Sequence, residues 1–161
     1  MEQSEICDLM RRSAFAAELS AGDCEVLANI ASTRLLADEE ILFKEGDEDN
    51  ALHIVVDGKI AVSRRGDQGE WVTLQVLGEG DMAGELGFID GTRHCASLRS
   101  IGPSRVVSLE REKFESLIEK HPLVVYRVMR AIVRTVHSIL RRMNSQYVEM
   151  SSYIGKSHGC C

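Results

Sequence analysis

The stretch from Leu77 to Ser97 constrains this chain more than any other. It carries five glycines: Gly78, Gly80, Gly84, Gly87 and Gly91. Glycine reaches positive φ without steric cost and leaves backbone N–H groups bare to an approaching group. A Gly-bounded turn of helix over Gly84–Phe88 would aim several N–H donors at one anion. Glu85 inside that turn offers a carboxylate to hydroxyl donors. Arg93 and His94 follow within ten residues, and both donate to anions. One loop thus combines N–H donors, a carboxylate and a cation, a set suited to a ligand with a phosphate and a sugar hydroxyl. The same residues also describe a glycine-rich sheet corner with solvated charges.

The flanking chain reads as short strands between helices. Ile6–Ala17 predicts a short amphipathic helix with Ile6, Leu9, Met10 and Phe15 apolar. Ser20 opens a second helix, with Asp23 placed as in a capping box and Val26, Leu27 and Ile30 as its apolar face. Short apolar runs follow at Leu35-Leu36 and Ile41-Leu42-Phe43, then a turn cluster through Asp49-Asn50. Leu52, Ile54 and Val56 alternate, and Asp57-Gly58 predicts a hairpin turn leading into Ile60 and Val62. Val72, Leu74 and Val76 alternate again. Gly102-Pro103 predicts one more turn before Val106–Leu109. Many short strands with closely spaced turns indicate a barrel or jelly roll.

From Glu110 the period returns to helical. Phe114, Leu117 and Ile118 predict a short helix, and His121-Pro122 separates it from a long one running to about Met150. Val125, Met129, Ile132, Val136, Ile139 and Met143 are spaced alternately by four and three, as in a heptad seam. A second row, Tyr126, Val133, Leu140 and Tyr147, repeats every seven. The apolar face is wider than a coiled coil requires, so part of it is expected on the barrel and part on a second subunit. A homodimer through the first row is the expectation.

A chain of 161 residues holds one domain with a real core. Its net charge of −6 argues against nucleic acid or an anionic membrane as partner for the whole surface. From His121 onward, however, Arg127, Arg130, Arg134, Arg141, Arg142 and Lys156 face only Glu149, a stripe that would suit an acidic protein partner. The N-terminus is polar and acidic, unlike a signal peptide, and no apolar run approaches a membrane span. A cytoplasmic protein is expected. Cys7, Cys24 and Cys95 share no metal-ligand spacing and read as buried small residues. His158, Cys160 and Cys161 read as part of a flexible tail rather than a metal site. His53, His137 and Trp71 read as structural. No catalytic constellation is traceable, so neither an enzyme nor a resident cofactor is expected.

The order of these features resembles the cyclic-nucleotide-binding domain of the catabolite activator family and of kinase regulatory subunits. The matching residues are Phe43-Lys44-Glu45-Gly46-Asp47, Leu52 to Ile60, Leu77-Gly78-Glu79-Gly80-Asp81, Gly84-Glu85-Leu86-Gly87 and His121-Pro122, over about residues 13–144. The resemblance implies an α+β fold: a β-roll, a double-stranded jelly-roll-like barrel, with short N-terminal helices and a long C-terminal helix. Residues 1–121 would form the barrel with its N-terminal helices, 122–150 the dimerising helix and 151–161 the tail. It further implies a phosphate-binding cassette at Gly84, Glu85, Leu86, Gly87, Arg93, His94, Cys95 and Ala96, with cAMP or cGMP as ligand. In that family a glutamate at the Glu85 position binds the ribose 2′-hydroxyl, N–H groups at Leu86 and Gly87 face the phosphate, and an arginine pairs with its exocyclic oxygens. Aligned from Gly84 without a gap, His94 takes the arginine position, and Arg93 falls one residue early, on the opposite face of a strand. A shift in loop length would return Arg93 to the pocket. Three readings stand: a nucleotide sensor, a dimeric interaction module that keeps the barrel without the ligand, and redox sensing through Cys95. Too little chain follows Asn144 for a helix-turn-helix, so direct DNA binding is not expected.

Overall fold

The computed structural model describes residues 3–13, 15 and 17–158. Helices α1 (Gln3–Arg11) and α2 (Ala21–Ala28) precede β1 (Ala31–Leu36), β2 (Ile41–Phe43), β3 (Ala51–Arg65), β4 (Trp71–Leu77) and β5 (Met82–Ala83). Then come α3 (Glu85–Asp90), β6 (Ser97–Glu110), α4 (Arg111–Glu115) and α5 (Pro122–His158). All pairings are antiparallel, in the order β1-β6-β3-β4, with β2 on β6 and β5 on β3. This is the expected β-roll with helices at both ends. The first helix stops at Arg11, short of the sequence expectation, and Phe15 is buried from the turn beyond it.

Two long strands, β3 and β6, organise the roll. The Asp57-Gly58 and Gly102-Pro103 pairs, expected as turns, lie inside them. The β3–β6 register shifts between Val55 and Asp57 and again between Asp57 and Lys59. Gly58 has φ +84°, and a Cβ there would sit 2.6 Å from the Pro103 carbonyl oxygen. The two sites are therefore opposed bulges that bend one ribbon, built from the residues that would otherwise reverse it.

The alternation of β3 divides the core. Leu52, Ile54 and Val56 join Met10, Phe15, Leu27, Val107, Leu109, Phe114, Val128 and Ile132 on the helical side. Val55 faces the roll interior with Leu36, Phe43, Ile60, Leu77, Ala83, Leu98 and Val106. Each fully buried Leu, Ile or Phe contributes about 1.5–3 kcal/mol. On β4 the alternating apolar residues are the outward ones. Val72, Leu74 and Val76 are exposed, while Gln75 and Leu77 line a cavity of the roll. The β3–β4 register shifts between Val62 and Ser63: Val62 pairs with Gln75 and Ser63 with Thr73, which leaves Leu74 as an extra residue that bulges β4.

The capping box at the start of α2 forms as expected: Asp23 N–H donates to Ser20 Oγ at 3.2 Å and Ser20 N–H to Asp23 Oδ2 at 2.9 Å. Asp23 also accepts from Arg127 at 2.6 Å. Arg130 lies 3.4 Å from Glu18, and Arg134 donates to Glu18 as well. Three arginines of the stripe expected to meet an acidic partner are thus engaged within the chain, clamping α5 onto the N-terminal segment.

Helix α5 spans 37 residues and continues through His158, past the expected end at Met150. Cys160 and Cys161 lie outside the described residues. The expected dimer seam is corrected. Ile132 is fully buried in the chain's own core, Val125, Met129 and Val136 pack partly against it, and Ile139 lines the cavity. Only Met143 of that row is well exposed. Tyr126, Val133, Leu140 and Tyr147, the second row, face outward. Spacing alone identifies two apolar rows on one helix and does not say which is covered by the rest of the chain. Among the described residues no helix is long and apolar enough to cross a membrane. Cys7 and Cys24 are buried as expected, but Cys95 is exposed.

Candidate functional site

The cassette is built by a two-residue strand, β5, that runs into the single-turn helix α3. Gly84, at φ +81°, is the left-handed residue that lets the chain turn from one into the other. Gly91, at φ +75°, ends the helix in the same conformation, its N–H bonded to the Gly87 carbonyl. The Phe88 N–H is the first to close a helical turn, onto Gly84 O at 3.0 Å. The N–H groups of Leu86 and Gly87 precede that ladder, as at any helix start.

A cavity of about 170 Å³ opens beside this turn. All eight residues expected at the site, Gly84, Glu85, Leu86, Gly87, Arg93, His94, Cys95 and Ala96, line it. Its body is apolar, from Phe43, Val62, Leu77, Met82, Ala83 and Leu98, and α5 closes one side with Ile139. Gln75 of β4 adds a side-chain amide. Such a chamber, apolar with a few polar groups on one wall, suits a small ligand.

The two candidate cations part company. Arg93 points outward, its side chain 70% exposed, and grips Glu48 with Nε at 3.1 Å and Nη2 at 2.7 Å from one carboxylate oxygen. His94 turns beneath α3, with its side chain 6% exposed. Its ring stacks on Phe43 at a centroid distance of 3.5 Å and an angle of 14°. A Cβ added to Gly84 would lie 3.7 Å from His94 Cε1, and one added to Gly87 would lie 3.4 Å from it. Those are ordinary contacts; the carbonyl oxygens of Ala51 and Asp49, 2.7 and 2.8 Å from the added Cβ atoms of Gly84 and Gly87, are what require glycine here.

Beside His94 lie two further polar groups the sequence reading left out of the site. Asp49 Oδ2 is 2.5 Å from His53 Nε2 and 3.8 Å from His94 Nε2. His53 Nδ1 meets Ser108 Oγ at 2.7 Å, and Asp49 Oδ1 accepts from the Ala51 N–H at 3.0 Å. His94 Nε2 is buried without a hydrogen-bond partner. Burial pushes the Asp49 carboxyl upward, but the hydrogen bond and charge of His53 outweigh it and hold the group below its ordinary value. Burial pushes His94 below the ordinary histidine value, against the pull of the Asp49 and Asp47 carboxylates. His94 is therefore a neutral imidazole at neutral pH. The signal for this cluster was the four-residue step from Asp49 to His53 at the mouth of a strand. Read alone, Asp49 belongs to a turn and His53 to an alternating strand.

Comparison with known proteins agrees with this geometry. A family model described as the cyclic nucleotide-binding domain matches residues 33–121. The chain is 30% identical over 109 residues to a CRP-like cAMP-activated global transcriptional regulator of Mycobacterium tuberculosis (strain CDC 1551 / Oshkosh), covering 68% of this chain and 47% of that protein. It spans about half the length of the bacterial regulators it matches. Among solved structures, a cyclic nucleotide-binding domain from Methylobacillus flagellatus KT superposes with a TM-score of 0.79 at 19% identity, covering 92% of this chain and 83% of that one. The N-terminal domain of a transcriptional regulator from Streptomyces coelicolor A3(2) superposes with a TM-score of 0.72 at 26% identity, covering 84% and 95%.

Proposed function

The chain belongs to the cyclic nucleotide-binding domain family, and from that premise we propose that it is a regulatory domain that senses cAMP or cGMP and signals through α5. The observation that carries this reading is the composition of the cavity wall: Glu85, the leading N–H groups of α3 and Arg93 border one apolar chamber. Glu85 accepts from the ribose 2′-hydroxyl, the N–H groups of Leu86 and Gly87 meet the phosphate, and the base occupies the apolar body. Arg93 leaves Glu48 and swings to the exocyclic oxygens. That exchange is inexpensive, because a pair whose partners are 70% and 67% exposed holds with about 0–1 kcal/mol. The role is regulatory, in keeping with the cAMP-activated transcriptional regulator of M. tuberculosis that the chain resembles, and a cytoplasmic setting suits the free thiols of Cys7, Cys24 and Cys95.

Calorimetry with cAMP and with cGMP tests the reading. Saturable binding of one of them is expected. Arg93→Ala will weaken it by about ten- to a hundredfold, the value of one hydrogen bond to a charged group. Glu85→Ala will weaken it by a similar factor. Absence of heat with either nucleotide at millimolar concentration overturns the reading.

The signal leaves through α5. Tyr126, Val133, Leu140 and Tyr147, with Met143 and Met150 beside them, form an exposed heptad stripe on a helix that outruns the roll. A homodimer along this stripe is the proposed assembly. Leu140→Glu is expected to give a monomer in sedimentation while leaving the melting of the roll unchanged, since Leu140 is 51% exposed. A variant that still sediments as the wild type would refute the stripe as the interface.

One observation favours a second reading, the interaction module without ligand. The residue at the gap-free arginine position, His94, is buried under α3 and stacked on Phe43, and Arg93 faces solvent on Glu48. On that reading a protein partner binds equally well with and without nucleotide.

A further inference from the structure

We propose that anion binding at the cassette is coupled to proton uptake by His94, so that the domain holds a cyclic nucleotide more tightly as the pH falls. This rests on the nucleotide-binding reading above and concerns how that site is regulated.

The geometry begins with the imidazole. It is more than nine-tenths buried, lines the cavity, and has one ring nitrogen, Nε2, without a hydrogen-bond partner. A buried nitrogen in that condition is costly to leave unpaired. It is placed at the seam between the turn that would hold the phosphate and the carboxylate that can compensate a positive charge. On one side, Cε1 lies against Gly84 and Gly87, so only the backbone of the turn separates the ring from an anion on the Leu86 and Gly87 N–H groups. On the other side, Asp49 Oδ2 stands at 3.8 Å, close enough to close onto a protonated ring.

The charged and titratable groups facing His94 come from every element around it. Asp47 and Asp49 lie on the loop before β3, and His53 on β3 itself, joined to Ser108 of β6. Glu85 lies on α3, and Arg93 is the adjacent residue, held by Glu48. Phe43 of β2 covers the ring face and carries no charge. Without ligand, Asp49 is committed to His53, and burial keeps His94 neutral. A phosphodiester arriving across the turn adds a negative charge on the side that Asp49 does not cover. It favours the imidazolium, which takes its proton from solvent onto the ring's lone pair. No covalent bond in the protein is made or broken.

The sign follows. Binding raises the proton affinity of His94, so binding takes up protons. Affinity therefore increases as pH falls from above the value for the bound state to below that for the free state, which lies under the ordinary histidine value. The cyclic phosphodiester keeps a single charge throughout this range, so the slope belongs to the protein.

The test is calorimetry of the purified full chain with cAMP and cGMP at about pH 6, 7 and 8, in two buffers of different ionisation heat. Expected are a roughly tenfold tighter Kd at about pH 6 than at about pH 8 and a heat that differs between buffers. His94→Gln is expected to bind with a flat pH profile between about pH 6 and pH 8. Wild-type binding without slope or buffer dependence overturns the coupling and leaves the nucleotide reading standing, as does a slope that His94→Gln retains. No binding at any pH overturns both. Should His94→Gln fail to fold, the histidine resonances of the wild-type chain decide: a midpoint for His94 that rises on adding nucleotide is expected, and one that stays put overturns the coupling.

Discussion

Alanine at Gly84 will destabilise the folded chain by about 2–5 kcal/mol and lower its melting temperature by about 5–15 °C. Two costs add. Gly84 holds φ +81°, a conformation that costs an L-residue about 1–2 kcal/mol. Its new methyl would stand 2.7 Å from the Ala51 carbonyl oxygen, which belongs to the first residue of β3 and cannot yield without moving the strand. Overpacking of that kind costs about 1–3 kcal/mol. Gly46 supplies the control. It holds φ +87° with nothing within 4 Å of an added Cβ, so Gly46→Ala carries the conformational cost alone. Thermal melts followed by circular dichroism should separate the two, and equal losses would contradict the packing argument. The glycines of the cassette are thus required by the fold of the apo chain, whatever the ligand.

Phe43→Ala will cost about 3–5 kcal/mol. Phe43 is buried in the inner cluster beside Leu98, its register partner on β6. It also covers His94 face to face and meets His53 at a centroid distance of 5.7 Å. Removing the ring opens the cavity floor to water, so the variant has a second signature. Burial is the main cause that holds His94 below the ordinary histidine value. The His94 midpoint should therefore move upward, towards that value, in Phe43→Ala. Denaturant unfolding gives the stability loss, and histidine titration by magnetic resonance gives the shift. A destabilised variant whose His94 midpoint is unmoved would show that the ring is not what keeps water from the imidazole. Phe43→Leu, which refills much of the volume, should lose far less of both.

The cassette was legible because its constraint is local: a tight strand-to-helix turn needs a left-handed residue, and only glycine supplies it cheaply. The capping box at Ser20 and Asp23 was legible for the same reason. Other features depend on what lies opposite. Asp57-Gly58 and Gly102-Pro103 have the residues of turns, and only their pairing with each other makes them bulges. The period of Val72, Leu74 and Val76 reveals a strand but not which side of it the cavity occupies. The two apolar rows of α5 differ by rotation about one axis, and the N-terminal helices and strands β3 and β6 select the one to cover. The His53–Asp49–His94 cluster was the least legible, since its members come from a loop, a strand and the far end of the cassette. The outward turn of Arg93 depends on Glu48, forty-five residues away, and no periodicity announces such a pair.

Helix α5 packs in the hydrophobic core from Val124 to Ile132, touches the cavity at Ile139 and is solvent-exposed from Leu140 to Ile154. In mechanical terms it is a lever rooted in the core that pivots where it passes the cavity at Ile139. With a rise of about 1.5 Å per residue, the arm from Ile139 to Tyr153 is about 21 Å long. A tilt of about 10° at the chamber sweeps the far end through about 4 Å. On the proposed sensor reading, the roll stays rigid while the exposed end of α5 reports what the chamber holds.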